Sequence, residues 1–472
     1  MRGFTPQGFA VICDGRVNFR AFHLPDLIRP GSHGASSNMP TKIRKLGECT
    51  IKSPLHQIGG VEVRYRSDAE RVLYDHTCTD GQPAVDPADL HVLSFEQAGP
   101  REHIFFDPVR TTVGIVTCGG LCPGLNDIIK GLVTQLWNRY GCTRIYGFHF
   151  GYQGLVQRLG HQYTILKPEK VKQIHLLGGS ILGTSRGNQP IGEMVDTLED
   201  MGIDILFVVG GDGSMIGADL IASEVERRKL KISIVGIPKT IDNDIQYLDK
   251  SFGFETAFAE AVKAVRAGHA ESEGAPNGIG LIKLMGRDSG FIASYAALAD
   301  GNVDFVLIPE VPFRLEGPRG FLEMLRHHVA NRGSAVVVVA EGAGKDFMAG
   351  YEDLDPSGNQ RPKDIGVYLR DRINALFKER KMELNLKYID PSYIVRSVPA
   401  NAQDNFYCQQ LAQHAVHAAM AGKTGMLIGR WHTSYVHLPI SFVSRHGRRM
   451  VDPTGELWRA VLESTGQPGS MM

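Results

Sequence analysis

The chain has 472 residues, enough for two or three domains with substantial cores, and its 43% hydrophobic and 22% charged residues are the balance of an ordinary globular protein. Lysine plus arginine equals aspartate plus glutamate at 51 each. No global field therefore recruits nucleic acid or an anionic membrane, and any phosphate chemistry must come from local constellations. Seven scattered cysteines, an odd count without paired spacing, fit a reducing compartment better than a disulfide framework. No apolar run approaches about 18 residues, so no membrane span is expected and a cytoplasmic location is.

Residues 1–108 are rich in Gly, Pro, His and Arg and carry a weak apolar pattern. The first forty contain Asp14 and Asp26 as their only acids, beside Arg2, Arg16, Arg20 and Arg29. That bias resembles a transit peptide, but no clean amphipathic helix accompanies it. Met39 opens a more ordinary N-terminus, Met-Pro-Thr-Lys-Ile-Arg-Lys. The expectation is an upstream extension over residues 1–38 that folding and chemistry do not need.

From Thr111 onward, short apolar runs alternate with helical patterns. Strands are expected over Thr112–Thr117, Asp204–Val209, Ile232–Ile237, Ile279–Leu284, Val303–Ile308 and Ala335–Ala340. Helices are expected over Leu125–Tyr140, after GGDGS to about Arg228, from about Glu255, and after MGRDSG. Repeated strand–loop–helix units predict doubly wound α/β layers, in which ligands lie beyond the carboxyl ends of the strands.

The unusual motifs fall at those ends. Cys118-Gly119-Gly120-Leu121-Cys122-Pro123-Gly124 separates a strand from a helix, where paired glycines and unpaired helix N–H groups suit a phosphate. It is neither a Walker A loop nor G-x-G-x-x-G, and alone a tight turn explains it as well. Its two cysteines have no second Cys/His pair, so a zinc site is not expected. In Gly210-Gly211-Asp212-Gly213-Ser214 three glycines clear a strand exit, and Asp212 offers a carboxylate to a Mg²⁺ that bridges phosphate oxygens. Pro238-Lys239-Thr240-Ile241-Asp242-Asn243-Asp244 stacks like charges, which has no structural value, and an extended backbone would turn Thr240, Asp242 and Asp244 to one side. One carboxylate can take a hydroxyl proton while the other orients metal or water. Arg186 in a small-residue loop, Arg287 after a strand and Arg396 near Lys387 add cations, and Glu341 ends a strand as an acceptor for sugar hydroxyls. Together these describe two anionic ligands facing each other.

In this order the motifs resemble the 6-phosphofructokinase family: GG-x-x-PG-x-N, GY-x-GL at Gly151–Leu155, LG-[ST]-x-R, GGDGS, TIDND, MGR, a strand-end Glu and a Tyr-x-x-Arg near the end. The match runs from about Thr111 to about Ile440, and PKTIDND, KLMGRDSGFIA and KYIDPSYIVR resemble the branch of plants, trypanosomatids and some bacteria. The resemblance implies an α/β fold of two Rossmann-like doubly wound domains with an N-terminal extension. It divides the chain into an extension at 1–108, a nucleotide lobe at 109–252 rejoined by about 396–440, a sugar-phosphate lobe at 253–395 and a tail at 441–472. It implies ATP as phosphoryl donor, Mg²⁺, fructose 6-phosphate as acceptor, and a homotetramer or homodimer.

Residue by residue, it places Gly120, Tyr152, Arg186, Gly187 and Gly211, Asp212, Gly213 and Ser214 on the nucleotide, with Asp212 on Mg²⁺. It makes Asp242 the base for the sugar's 1-hydroxyl, flanked by Thr240, Ile241 and Asp244. It gives fructose 6-phosphate to Met285, Gly286, Arg287, Glu341, Lys387, Tyr393 and Arg396. Two arginines that a neighbouring subunit supplies in the better-known bacterial enzymes correspond here to Gly278 and Lys387. Donor choice rests on two positions that disagree. Lys239 resembles pyrophosphate users, in which an ammonium here binds the donor. Gly213 resembles ATP users, because pyrophosphate users carry an Asp that would block the α-phosphate. A Lys can swing aside and a carboxylate against phosphate cannot, so ATP is expected. Pyrophosphate dependence and a non-catalytic metabolite-sensing subunit are the alternatives, the latter disfavoured by the presence of Asp212 and Asp242. A nicotinamide-dependent dehydrogenase is disfavoured, because no G-x-G-x-x-G with a later acidic residue follows the first strand.

Overall fold

The Val- and Ile-rich runs that follow Thr111 form the centres of two parallel sheets. The computed structural model describes residues 41–57, 62–79, 82–83, 94–348 and 364–472, all within one compact unit, Pro40–Met472. The extension expected over residues 1–38, and Met39, lie outside them. The larger sheet runs, edge to edge, Tyr163–Ile165, Arg144–Phe148, Thr112–Thr117, Ile205–Gly210, Ser233–Pro238, Met426–Trp431, Ser434–Pro439, Ser94–Gln97 and Arg71–Leu73. Its five strands from Arg144–Phe148 to Met426–Trp431 are parallel, and both flanks are antiparallel. The smaller sheet is wholly parallel, in the order Phe305–Leu307, Ser334–Ala340, Gly278–Leu284 and Asn385–Ile389. Thr112–Thr117, Ile205–Gly210 and Ser233–Pro238 are buried along their whole length, as strands covered by helices on both faces must be.

From Thr112–Thr117 the chain crosses to Arg144–Phe148 on one side, then returns to Ile205–Gly210 on the other. Such a reversal opens a crevice at the carboxyl ends of the strands. The expected strands are present within one or two residues, and the helices differ in two informative ways. The first is α-helical only over Leu125–Gln135; its last turn, Leu136–Tyr140, widens to π geometry and stops at Gly141 with φ 81°. GGDGS is not a free loop, because the helix Asp212–Arg227 begins at Asp212 itself.

The segment before Thr111 carries strands that its weak apolar pattern did not reveal. Ser94–Gln97 pairs with Ser434–Pro439, and Arg71–Leu73 continues the sheet beyond it. A buried charge cluster fixes this edge. Glu96, 5% exposed, accepts on Oε1 from Arg101 at 2.9 Å, Lys423 at 2.6 Å and His437 Nδ1 at 2.8 Å. Asp68 accepts from Arg101 and Lys423, both at 2.8 Å, and from Lys45. Burial raises the Glu96 pKa, but His437 and Lys423 outweigh it and bring the carboxyl down to about 2. Burial holds His437 neutral down to about 4, so at neutral pH it serves as an N–H donor while Lys423 and Arg101 supply charge.

The tail leaves the large sheet after Ser434–Pro439 and ends beside the small sheet. Helix Glu456–Thr465 buries Trp458 and packs against Phe291–Asp300. Gln467 brackets Val306, accepting from its N–H at 2.6 Å and donating to its carbonyl at 3.2 Å, and Met471 O accepts from Arg314 N at 2.7 Å.

Because the Glu96 pKa is depressed in the folded protein, its stabilisation is complete above the ordinary carboxyl range and is lost as pH falls through about 2. Glu96→Gln leaves buried cations short of a partner and is expected to cost about 3–5 kcal/mol at neutral pH. Its melting temperature should then fall less steeply than that of the wild type between about pH 5 and pH 2. Circular-dichroism melts of the two proteins across that range provide the check, and equal stability at pH 7 would show that the cluster does not hold the edge.

Candidate active site

Three loops meet where Thr112–Thr117, Ile205–Gly210 and Ser233–Pro238 end. In the first, Gly119 and Gly124 take left-handed φ values of 84° and 99°, and a Cβ on Gly124 would lie 2.6 Å from Cys408 Sγ. Gly119 N donates to Ser185 O at 2.9 Å, which ties this loop to the one bearing Arg186 and Gly187. A Cβ at Gly120 would lie 3.1 Å from Arg186 Nη2 and 3.9 Å from Arg396 Nη1, so both guanidiniums converge on the bare backbone there. Lys239 is held, not swung aside. It is 6% exposed, its Nζ donates to Gly120 O at 2.8 Å, and burial lowers its pKa. It braces the glycine loop from beneath.

The second loop is the first turn of helix Asp212–Arg227, which aims backbone N–H groups into the crevice. Tyr152 lies behind that turn: it is buried against Gly217, and its hydroxyl donates to Ser214 O at 2.5 Å. A Cβ on Gly213 would meet nothing within 4 Å. The Asp212 carboxyl is raised to about 6 by burial and by Asp244, against the charge of Arg448.

The third loop departs from the extended form expected of it. Asn243 takes φ 55° and accepts Ser251 N at 2.9 Å, so the backbone bends. Thr240, Asp242 and Asp244 are brought together by that bend: Thr240 Oγ1 donates to Asp244 Oδ1 at 2.9 Å and accepts Asp242 N at 3.1 Å. Ile241 points into the core. Asp242 Oδ1 is buried with no hydrogen-bond partner. Burial, then Asp244 and Glu341, push the Asp242 carboxyl far above the carboxylate range, against Arg448 and Arg287. A carboxyl so placed is a strong base once ionised.

The small sheet supplies the facing wall. Gly286 has φ 132°, and a Cβ there would lie 2.3 Å from Ser289 O, so only glycine makes the turn after Gly278–Leu284. Ser289 Oγ donates to Asp242 O at 2.9 Å, joining the loops of the two sheets beside that carboxyl. Glu341 N is held by Leu284 O at 2.9 Å. Burial raises the Glu341 carboxyl and Asp390 adds to it, while Arg287, Lys283 and Arg396 act to lower it, so the charges facing Glu341 on this wall are mostly cationic. Met285 packs partly against the core. Tyr393 is 75% exposed, with the Arg396 guanidinium 4.7 Å from its ring centre. Lys387 is exposed on Asn385–Ile389. A Cβ at Gly278 would lie 2.0 Å from Ser272 O, so no side chain fits at that position.

Three residues escaped the sequence reading: Asp288, Lys345 and, above all, Arg448. Arg448 Nε lies 3.2 Å from Asp212 Oδ2 and 3.8 Å from Asp244 Oδ2, and Nη1 pairs with Asp288. Lys345 Nζ is 2.6 Å from the other Asp288 oxygen. The pair Arg448-Arg449 after Gly447 was the only local signal. Among the described residues no three acidic, His or Cys side chains converge as a metal cage. Asp212 with Asp244 nearby fits a hard cation that completes its shell with phosphate oxygens and water.

The signature of the family described as Phosphofructokinase matches residues 112–419. The chain is 48% identical to the ATP-dependent 6-phosphofructokinase of Borreliella burgdorferi, over 92% of this chain and 98% of the relative. It is 44% identical to that of Trypanosoma brucei brucei, over 86% and 83%, and 48% identical to the chloroplastic ATP-dependent 6-phosphofructokinase 5 of Arabidopsis thaliana, over 79% and 69%. The pyrophosphate-dependent phosphofructokinase of Marinobacter aquaeolei superposes with TM-score 0.61 at 20% identity, over 75% of this chain and 91% of that one, a likeness of fold.

Proposed function

The chain belongs to the phosphofructokinase family, and on that premise we propose that it transfers the γ-phosphoryl group of ATP to the 1-hydroxyl of fructose 6-phosphate. The observation that carries this reading is 44–48% identity to enzymes named ATP-dependent 6-phosphofructokinase over most of both chains.

The nucleotide lies over the glycine loop and the first turn of Asp212–Arg227, with its phosphates against Gly120, Arg186, Gly187, Gly211, Gly213 and Ser214. Tyr152 supports that turn from behind. Asp212 would hold Mg²⁺, with Asp244 beside it, and the ion would supply charge neutralisation to the phosphate oxygens. Fructose 6-phosphate lies against Met285, Gly286, Arg287, Glu341, Tyr393 and Arg396, which brings its 1-hydroxyl to the unpartnered Asp242 Oδ1. Asp242 takes the hydroxyl proton as the oxygen attacks, while Thr240 fixes its backbone. Lys387, exposed at a sheet edge, is available to a neighbouring copy's sugar phosphate.

Open space at Gly213 supports ATP as donor, since nothing crowds the α-phosphate. Lys239 does not oppose this, because its ammonium is engaged by Gly120 O. We place the enzyme in the cytoplasm as a homotetramer or homodimer. Free cysteines among the described residues and exposed Leu176, Leu177 and Phe406 support this, and light scattering tests the assembly. No helix among the described residues is long and apolar enough to cross a membrane.

Asp242→Asn keeps the shape of the base but not its proton affinity. Turnover should fall on the order of 10²–10⁴-fold with the KM for fructose 6-phosphate nearly unchanged, and retention of more than about a tenth of wild-type kcat would assign the base elsewhere. Donor choice is read from coupled assays run with ATP and pyrophosphate side by side. The wild type should use ATP strongly and pyrophosphate negligibly. Gly213→Asp fits the fold sterically, so its effect is electrostatic, and it should raise the KM for ATP at least about tenfold. Robust pyrophosphate turnover by the wild type, or an unchanged KM in Gly213→Asp, would overturn the assignment.

A further inference from the structure

The tail does more than belt the sugar lobe. Its segment from Gly447 to Val451 crosses the cleft and is bound to both walls. On the nucleotide side Arg449 N donates to Asp244 O at 2.8 Å, Arg448 O accepts Gln246 Nε2 at 2.9 Å, and Arg449 Nη1 donates to Leu248 O and Asp249 O. On the sugar side the Arg449 guanidinium stacks 4.9 Å from the centre of the Phe291 ring. There Val451 N also shares Glu310 Oε1 with Gly290 N, at 2.8 and 2.9 Å. These bonds leave the Arg448 side chain aimed at one place, the gap between Asp212, Asp244 and Asp288.

We propose that Arg448 is a resident counter-cation of this centre and a competitor of the divalent ion for Asp212. A guanidinium Nε lies 3.2 Å from Asp212 Oδ2, and a metal ion brought to the same carboxylate would be repelled by that positive charge. The bare ion brings only its own charge and must displace a paired guanidinium. The metal–nucleotide complex brings phosphate oxygens as well, which give the displaced guanidinium a new anionic partner. The cleft therefore discriminates against the free ion and admits it with the nucleotide. Arg448 also reaches Asp288 on the opposite wall, so its release from Asp212 is felt across the cleft. It is a positioning residue.

The inference rests on the kinase reading only through the assignment of the metal to Asp212, and its test needs no turnover, so the two can fail separately. The probe is Mn²⁺ without nucleotide, titrated calorimetrically into the full chain. Arg448→Met removes the charge and keeps the length; it should bind Mn²⁺ at least about tenfold more tightly than wild type. Arg448→Lys keeps the charge and should stay within about threefold of wild type. Adding Asp212→Asn to Arg448→Met should abolish the gain. Arg448→Gln, which retains an amide donor, repeats the measurement if the methionine variant does not fold. Wild-type or weaker Mn²⁺ affinity in the uncharged variants, a gain equal in the lysine variant, or a gain that survives Asp212→Asn would each overturn the proposal.

Discussion

Four carboxylates, Asp212, Asp242, Asp244 and Glu341, are held by backbone geometry around one crevice, and their mutual repulsion governs everything else there. Each stands at or just beyond the end of a parallel strand, where the sheet topology admits no other direction for the loops. Asp242 bears the strain most, since burial, Asp244 and Glu341 all disfavour its charge. Such crowding destabilises the folded chain, and it suits the role of base that we propose for Asp242.

The surrounding cations are arranged to answer this field. Arg287, Lys283 and Arg396 act on Glu341 from the wall built by the small sheet, and Arg448 enters from the tail to face Asp212 and Asp244. Lys239 works differently: its ammonium is engaged by the Gly120 carbonyl and so holds the shape of the glycine loop. A second charge cluster, at Glu96 and Asp68, uses the same physics far from the chemistry to fix a sheet edge. There every buried acid oxygen at the centre has a cationic or N–H donor, whereas Asp242 Oδ1 has none. The paired carboxylates of that cluster fasten the fold, and the unpaired oxygen of Asp242 is the one we propose receives the substrate hydroxyl.

What the sequence disclosed follows this logic. Buried parallel strands are continuous Val/Ile runs, and their ends are punctuated by glycine and aspartate, so TVGIVT, ILFVVG and SIVGIP and the loops after them were legible. Ser94–Gln97 was not, because its sequence SFEQ is half polar and its burial depends on partners from Arg101, Lys423 and His437. At 240–244 the extended backbone expected from period-two alternation is not the one observed, since that alternation carries no sign of the left-handed Asn243. Arg448 was invisible for a different reason: its meaning depends on a tail that leaves one lobe and closes on the other, which no local pattern encodes.

The central claim is that carboxylate crowding raises Asp242 far enough to make it the base. The pH dependence of kcat/KM for fructose 6-phosphate at saturating MgATP tests it most directly. Activity requires the ionised form, so it must fall as pH drops through the raised value. Cations that enter with the nucleotide pull that value down, while Asp244 and Glu341 keep it from returning to the ordinary range. The account predicts an acid limb with an apparent pKa above about 5.5 that is absent from the residual activity of Asp242→Asn. A profile flat from about pH 5 to 7, or an identical limb in the variant, would contradict it.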